Sequence, residues 1–228
     1  MAAISMDNIE RSATLTAQVG RRLREAIAAG VFTPGDRLTI RSVATALGVS
    51  PTPAREALNI LVTEGSLESG PGRSIIVPRL SIERLHEITE IRVSLEGLAA
   101  ETAARLLDAP AIALIVRAND AMTAATEAQD FKLAMLKNRE FHFGLYRGAR
   151  MPVLFKIIEG LWLRTGAYIN LIYPAFGLAR KGIENHRAAA AALEARDGKA
   201  LRAAIEQDIR YSSAHLEAEL RTREQNAA

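Results

Sequence analysis

The chain has 228 residues, 49% of them hydrophobic and 24% charged, with a formal net charge of +3 and no cysteine. That balance belongs to a folded globular chain with room for one large or two small domains, and it excludes disulfides, thiolate catalysis and cysteine metal sites. No apolar run approaches the ~20 residues that span a bilayer, and the N-terminus lacks the basic start and apolar core of a signal peptide, so the expected setting is cytoplasmic with no membrane partner.

The first predicted helix runs from about Thr14 to Ala29, with Leu15, Val19, Leu23 and Ile27 at helical spacing and Gly30 as a natural stop. VFTPGDRL then reads as a turn around Pro34 and Gly35. A short helix follows in IRSVATAL, ending at Gly48, and a third starts at Thr52-Pro53, where threonine is expected to cap and proline suits the first turn. The third helix carries Ala54, Ala57, Leu58 and Leu61 on one stripe, which leaves Thr52, Arg55, Glu56 and Asn59 on another face. SLES and SIIV flank GPGR and predict a β-hairpin with its tip at Gly70 to Arg73.

Helix, helix, tight turn, helix and hairpin is the order of a winged helix-turn-helix, whose third helix enters the DNA major groove by its N-terminal end. Residues 1 to 78 carry eight arginines and no lysine against seven acids, so DNA binding must come from arginine placement rather than bulk charge. Arg55 falls in a first turn where the helix dipole disfavours a cation. A polyanion in front of it accounts for that position; pairing with Glu56 or Asn59 is the alternative. Arg41 in the preceding helix and Arg73 at the wing tip would join it on one surface.

From Ser81 onward the texture changes to long, alanine-rich amphipathic stretches with few breakers, which predicts an all-helical bundle. The division falls within residues 75–81, giving a DNA-binding domain at 1–78 and a helical effector-binding and dimerisation domain at 79–228. The fold class is therefore mainly α, with a small β-hairpin wing.

Residues 15–78, with G-V-F-T-P-G-D-R-L, V-S-P-T-P-A-R-E-A-L and L-V-T-E-G, resemble the DNA-binding domain of the GntR family of bacterial transcription regulators. The resemblance implies operator contacts from Arg41, Ser50, Thr52 and Arg55, with Gly72 at the wing tip beside Arg73. Two positions depart from the pattern: Pro51 stands where many members have arginine, and Ser74 where a wing glycine is usual.

The second region is similar to the FCD domain of the FadR-type branch. Residues 81–107 resemble its first two helices, NREFHFGLYRGARMPVL the segment that usually carries Asp-x-x-x-His, and ENHRAAAAALEARDGKALRAAIEQDI its penultimate and last helices. In many relatives a carboxylate and three histidines from these segments hold a divalent metal. Here the matching set is Asn138, His142, His186 and Asp208, as though the carboxylate had moved to another helix. Two imidazoles and a carboxylate suit zinc, nickel or manganese, with the neutral Asn138 amide a poorer ligand than an acid.

Asn138 and His142, four residues apart, share a helix face, an arrangement equally suited to a hydrogen-bonded pair in a polar core. Asp208 has the alternative of balancing Arg202 or Arg210. His215, two turns beyond Asp208, is a substitute ligand by position or, as the favoured alternative, an exposed surface residue, while His86 has no such claim. The resemblance further implies a small organic acid effector, with Arg92 facing the cavity unless it pairs internally with Glu96, and with Arg164 and Tyr168 adding to its wall.

The expected function is thus a homodimeric regulator that binds a two-fold symmetric site in double-stranded DNA and responds to a small acid. The alternatives are a helical metalloenzyme with an accessory winged domain and a metal-free sensor. The sequence contains no G-x-S-x-G, H-E-x-x-H or phosphate-binding glycine loop that would favour an enzyme.

Overall fold

The computed structural model describes residues 14–172 and 180–227. In chain order the elements are α1 (Leu15–Ala28), β1 (Arg37–Leu38), α2 (Ile40–Leu47), α3 (Pro51–Thr63), β2 (Glu68–Ser69) and β3 (Ile75–Ile76), followed by α4 (Ile82–Leu106), α5 (Ala109–Glu127), α6 (Phe131–Gly148), α7 (Pro152–Ile172), α8 (Arg180–Glu194) and α9 (Gly198–Ala227). The helix starts follow side-chain chemistry: the oxygens of Thr14, Ser81, Asp108, Asp130 and Asp197 each accept a free first-turn amide. Thr39 and Ser42 form a reciprocal capping box at the head of α2.

The wing is a three-stranded antiparallel sheet of order β1-β3-β2, with Glu68 opposite Ile76 and Arg37 opposite Ile76 on the other side. The hairpin and its tip match expectation, the tip being a single 3₁₀ turn over Pro71–Arg73. The strand at Arg37–Leu38 is a correction to the turn read there. Two residues are too short to show alternation, and only the pairing with β3 makes them a strand. A second correction concerns residues 81–107, which form one 25-residue helix, α4, rather than two. The stretch holds no proline and one glycine, Gly97, which an α-helix tolerates at a cost of about 1 kcal/mol.

Two apolar clusters hold the chain. One lies inside the bundle and joins α4, α5, α6, α7, α8 and α9 through Phe141, Tyr146, Leu145, Ile158, Leu193 and Leu201. The other fills the winged unit with Leu23, Ile27, Leu58, Leu61 and Leu67, and it also takes in Leu85 of α4, Leu163 and Tyr168 of α7, and Leu216 and Leu220 of α9. Gly166 lets α7 approach the end of α1, since a Cβ there would lie 3.3 Å from the Ala28 Cα. The N-terminal core is thus built partly from the ends of bundle helices.

Candidate DNA-binding face and metal centre

The buried stripe of α3 is Ala54, Ala57, Leu58 and Leu61, as its spacing predicts, and this turns Thr52, Arg55 and Asn59 outward. The helix starts at Pro51 with Ser50 as its N-cap, and the Ser50 hydroxyl makes no capping hydrogen bond. The cap expected at Thr52 is corrected accordingly: Thr52 is the second helical residue. Pro51 and Pro53 remove two of the amide donors that this first turn would otherwise present, leaving the Thr52 N–H between them.

Arg41 in the first turn of α2, Ser50, Thr52 and Arg55 are all exposed, as is Gly72, which takes φ 65 at the wing tip. The side chain of Arg73 lies outside the described residues. Among the described residues neither Arg41 nor Arg55 has a hydrogen-bond or ion-pair partner. Glu56, the alternative partner for Arg55, instead accepts from the Thr16 hydroxyl at 2.6 Å.

In the bundle, α6, α8 and α9 bring His142, His186 and Asp208 together, all buried, with one ligand atom from each lying within 4.8 Å of the others. Asp208 Oδ2 is 3.5 Å from His142 Nε2 and 3.6 Å from His186 Nε2. These separations are long for a hydrogen bond. They are close to the ~3.4 Å between ligands that ~2.0–2.1 Å bonds give around a tetrahedral ion.

The neighbours of His142 decide its tautomer. Tyr146 donates its hydroxyl proton to Glu96 Oε2 at 2.5 Å, so its oxygen accepts from His142 Nδ1 at 3.0 Å. The ring proton therefore sits on Nδ1, leaving a bare Nε2 facing the Asp208 carboxylate. Two lone pairs pointed at each other call for a cation between them.

Charge follows the same geometry. Burial lowers the His142 pKa against the opposing pull of Asp208, which keeps the imidazole neutral and ligand-ready. Burial acts to raise the Asp208 pKa, while the His186 and His142 rings, when they carry a proton toward it, lower it below the usual range; a metal ion bound to neutral rings would supply the same positive charge. His186 Nδ1 is buried without a hydrogen-bond partner. The donor set thus fits a divalent ion, with Asp208 supplying the anionic ligand.

Asn138 lies one turn before His142 on α6, half-buried, and lines a cleft between α6, α7 and α1. His215 is not in the cluster; its Nδ1 is 3.0 Å from the Tyr211 carbonyl and its ring packs edge-on against Tyr211. This removes the substitute-ligand option, and the side chain is half-buried rather than fully exposed. His86 is exposed and pairs with Glu217 at 2.9 Å.

Arg92 takes the internal alternative. Its Nε donates to Glu96 Oε1 at 2.6 Å, with both side chains buried, and its guanidinium lies 5.0 Å over the Trp162 ring. Burial alone would lower the Arg92 pKa, yet Glu96 raises it. Glu96, fully buried, also accepts from Tyr146 and from Trp162 Nε1 at 3.0 Å. This node went unread in the sequence: Glu96 was visible only as a partner for Arg92, because its contacts to Tyr146 and Trp162 span 50 and 66 residues.

Arg164 and Tyr168, the expected wall residues, have partners in the N-terminal half of the chain. Arg164 Nη2 donates to the Glu64 carbonyl at 2.9 Å, at the C-terminal end of α3, where a cation suits the helix dipole. The Tyr168 hydroxyl accepts from Leu80 N–H at 2.5 Å and donates to the Pro78 carbonyl at 3.3 Å. Both side chains thus bind the winged unit and the segment leading into α4.

A winged helix-turn-helix on a helical sensing bundle defines a ligand-responsive DNA-binding regulator. Residues 15–77 match the family described as bacterial regulatory proteins, gntR family, and residues 87–211 match the FCD domain. The chain is 33% identical over 205 residues to the HTH-type transcriptional regulator McbR of Escherichia coli K12, covering 89% of this chain and 93% of that relative. It is 30% identical over 185 residues to a probable D-xylose utilization operon transcriptional repressor of Paenarthrobacter nicotinovorans, with 81% and 80% covered.

Among solved structures, E. coli McbR/YncC superimposes with a TM-score of 0.85 at 32% identity, over 92% of this chain and 100% of that one. A Rhodococcus structure at 20% identity and TM-score 0.72 shares the fold. The chain belongs to the gntR family and is a transcriptional regulator with an FCD effector-binding domain, not an enzyme.

Proposed function

We propose that the protein is a cytoplasmic homodimer of the FadR-type branch, with domains at 1–78 and 79–228. Its two winged units bind a two-fold symmetric operator, and a small carboxylate effector in the bundle modulates that binding. The α3 N-terminus enters the major groove, where Ser50, Thr52 and Arg55 contact DNA, Arg41 adds a phosphate contact, and Gly72 and Arg73 meet the neighbouring groove. The observation that carries this reading is the exposed, partnerless Arg55 on a helix whose opposite face is fully buried.

His142, His186 and Asp208 would hold a zinc, nickel or manganese ion, with Asn138 the candidate fourth ligand; such an ion supplies positive charge to an effector carboxylate. Arg92 is already neutralised by Glu96, so its role is to anchor the node that orients His142.

Trp162 and Arg164 connect the two halves. Both lie on α7: Trp162 hydrogen-bonds Glu96 beside the cluster, and Arg164 grips the end of α3. An effector that binds one setting of α7 better than another thereby shifts the recognition helices, and ~1–3 kcal/mol of coupling suffices. Selection of bound fragments from genomic DNA should return a palindromic site. A thermal-shift screen of small carboxylic acids, with and without divalent metals, should find an acid that raises the melting temperature. No preferred fragment rejects the operator reading, and no stabilising acid rejects the effector reading.

A further inference from the structure

Between α1, α6 and α7 lies a cleft of about 780 Å³, shared by the winged unit and the bundle; none of His142, His186 and Asp208 lines it, and Asn138 is the one candidate metal ligand at its edge. Its walls include the apolar Phe131, Leu133, Met135, Leu136, Phe143 and Leu163, and the ring of Trp162. Leu133 and Leu136, 39% and 54% exposed, both border the cleft.

The polar groups are unevenly committed. Five cations line the cleft, Arg21, Arg24, Lys132, Arg139 and Arg147, against the acids Glu25, Asp130 and Glu159. Arg24 is paired with Glu64, Asp130 caps α6, and Glu25 pairs with Arg22 at 3.3 Å. Glu159 is the acid left over. Arg21, Lys132, Arg139 and Arg147 form no ion pair among the described residues.

Arg139 and Arg147 both stack on Phe143, at 4.8 and 5.7 Å from its centre, and Arg147 also lies 4.9 Å over Phe155. The guanidinium of Arg139 is pushed down by burial and by Arg147, with Glu159 and Glu25 pulling the other way. Glu25 belongs to α1, so the field at Arg139 is set by both sides of the cleft.

We propose that this cleft is a second ligand site, taking an organic monoanion with an apolar, ring-bearing body. The body lies on Phe131, Leu136, Trp162 and Phe143, and the anionic group meets Arg139, with Arg147 and Arg21 adding charge. A guanidinium stacked on an aromatic face keeps its edge donors for a carboxylate or sulfonate. A ligand held there touches α1 and α7 at once, so it sets the angle at which the winged unit rides on the bundle. That regulatory consequence rests on the operator-binding reading; the binding itself does not.

The test uses the full-length protein and 1-anilinonaphthalene-8-sulfonate, which carries an aromatic body and one sulfonate. Trp162 is the chain's single tryptophan and lines the cleft, so its emission reports occupancy directly. Saturable Trp162 quenching is expected, with matching dye emission and about one site per chain. Arg139→Glu should weaken it at least tenfold, as should Leu136→Asp at an exposed position that the fold tolerates, and a chelator should leave it unchanged.

The proposal is overturned by non-saturable quenching, by equal affinity in both variants, by loss of binding on chelation, or by binding that vanishes on dimerisation, which would assign the cleft to a second copy. Dye-dependent change in DNA mobility supports the regulatory step; bound dye with unaltered DNA affinity overturns that step alone.

Discussion

At the scale of single residues, Arg55 carries the sharpest expectation. The dipole of α3 opposes a cation in its first turn, and no protein group among the described residues offsets that cost. Arg55→Ala should therefore leave folding intact while weakening operator binding, by about 1–3 kcal/mol if it reads a base, and reducing the salt slope by about one if it meets a phosphate. Fluorescence anisotropy over a salt series measures both. Tyr168 gives a pH signature. Burial raises its pKa above the usual value, with the Leu80 amide opposing. The unfolded chain thus loses this proton first, near pH ~10, and stability should fall as pH rises beyond that. Tyr168→Phe should flatten that alkaline decline and cost about 1 kcal/mol at neutral pH, checked by urea unfolding at several pH values.

At the scale of elements, α4 depends on the Arg92–Glu96 pair that spans one turn and is sealed by Tyr146 and Trp162. Glu96→Ala strands a buried guanidinium and should lower stability by about 3–5 kcal/mol in chemical denaturation. Metal affinity should drop about 10–100-fold, because the Tyr146 hydrogen bond no longer fixes the His142 ring. The exit from α3 is equally constrained. Gly65 has φ 70, and a Cβ there would lie 2.6 Å from Arg164 Nη2. Gly65→Ala should cost more than about 1 kcal/mol and displace Arg164 from the Glu64 carbonyl; a lower melting temperature with altered DNA affinity is the expected readout.

At the scale of the whole molecule, the N-terminal core borrows Leu85, Leu163, Tyr168, Leu216 and Leu220 from bundle helices. The winged unit is therefore held by the sensing domain rather than tethered beside it. Leu216→Ala should lower the stability of both halves together by about 2–5 kcal/mol, seen as one shifted unfolding transition rather than two. This continuity also explains why short-range patterns do not reveal the partners of α7. Its apolar spacing is readable, but the partners of Arg164 and Tyr168 are 100 and about 90 residues away. Arg92 and Glu96, by contrast, are four residues apart, and their pairing was one of two outcomes already visible.

Local chemistry in the chain determined the helix starts, the buried stripe of α3, the wing hairpin, the family and the two histidines of the cluster, since each depends on residues within a few positions or on a dense motif. Tertiary structure decided between Asp208 joining those histidines and Asp208 balancing Arg202 or Arg210, and it alone brought Tyr146 and Trp162 to the Arg92–Glu96 pair and the ends of α4, α7 and α9 into the winged unit's core. Those contacts join separate helices, and periodicity says which face of a helix is buried without saying against what.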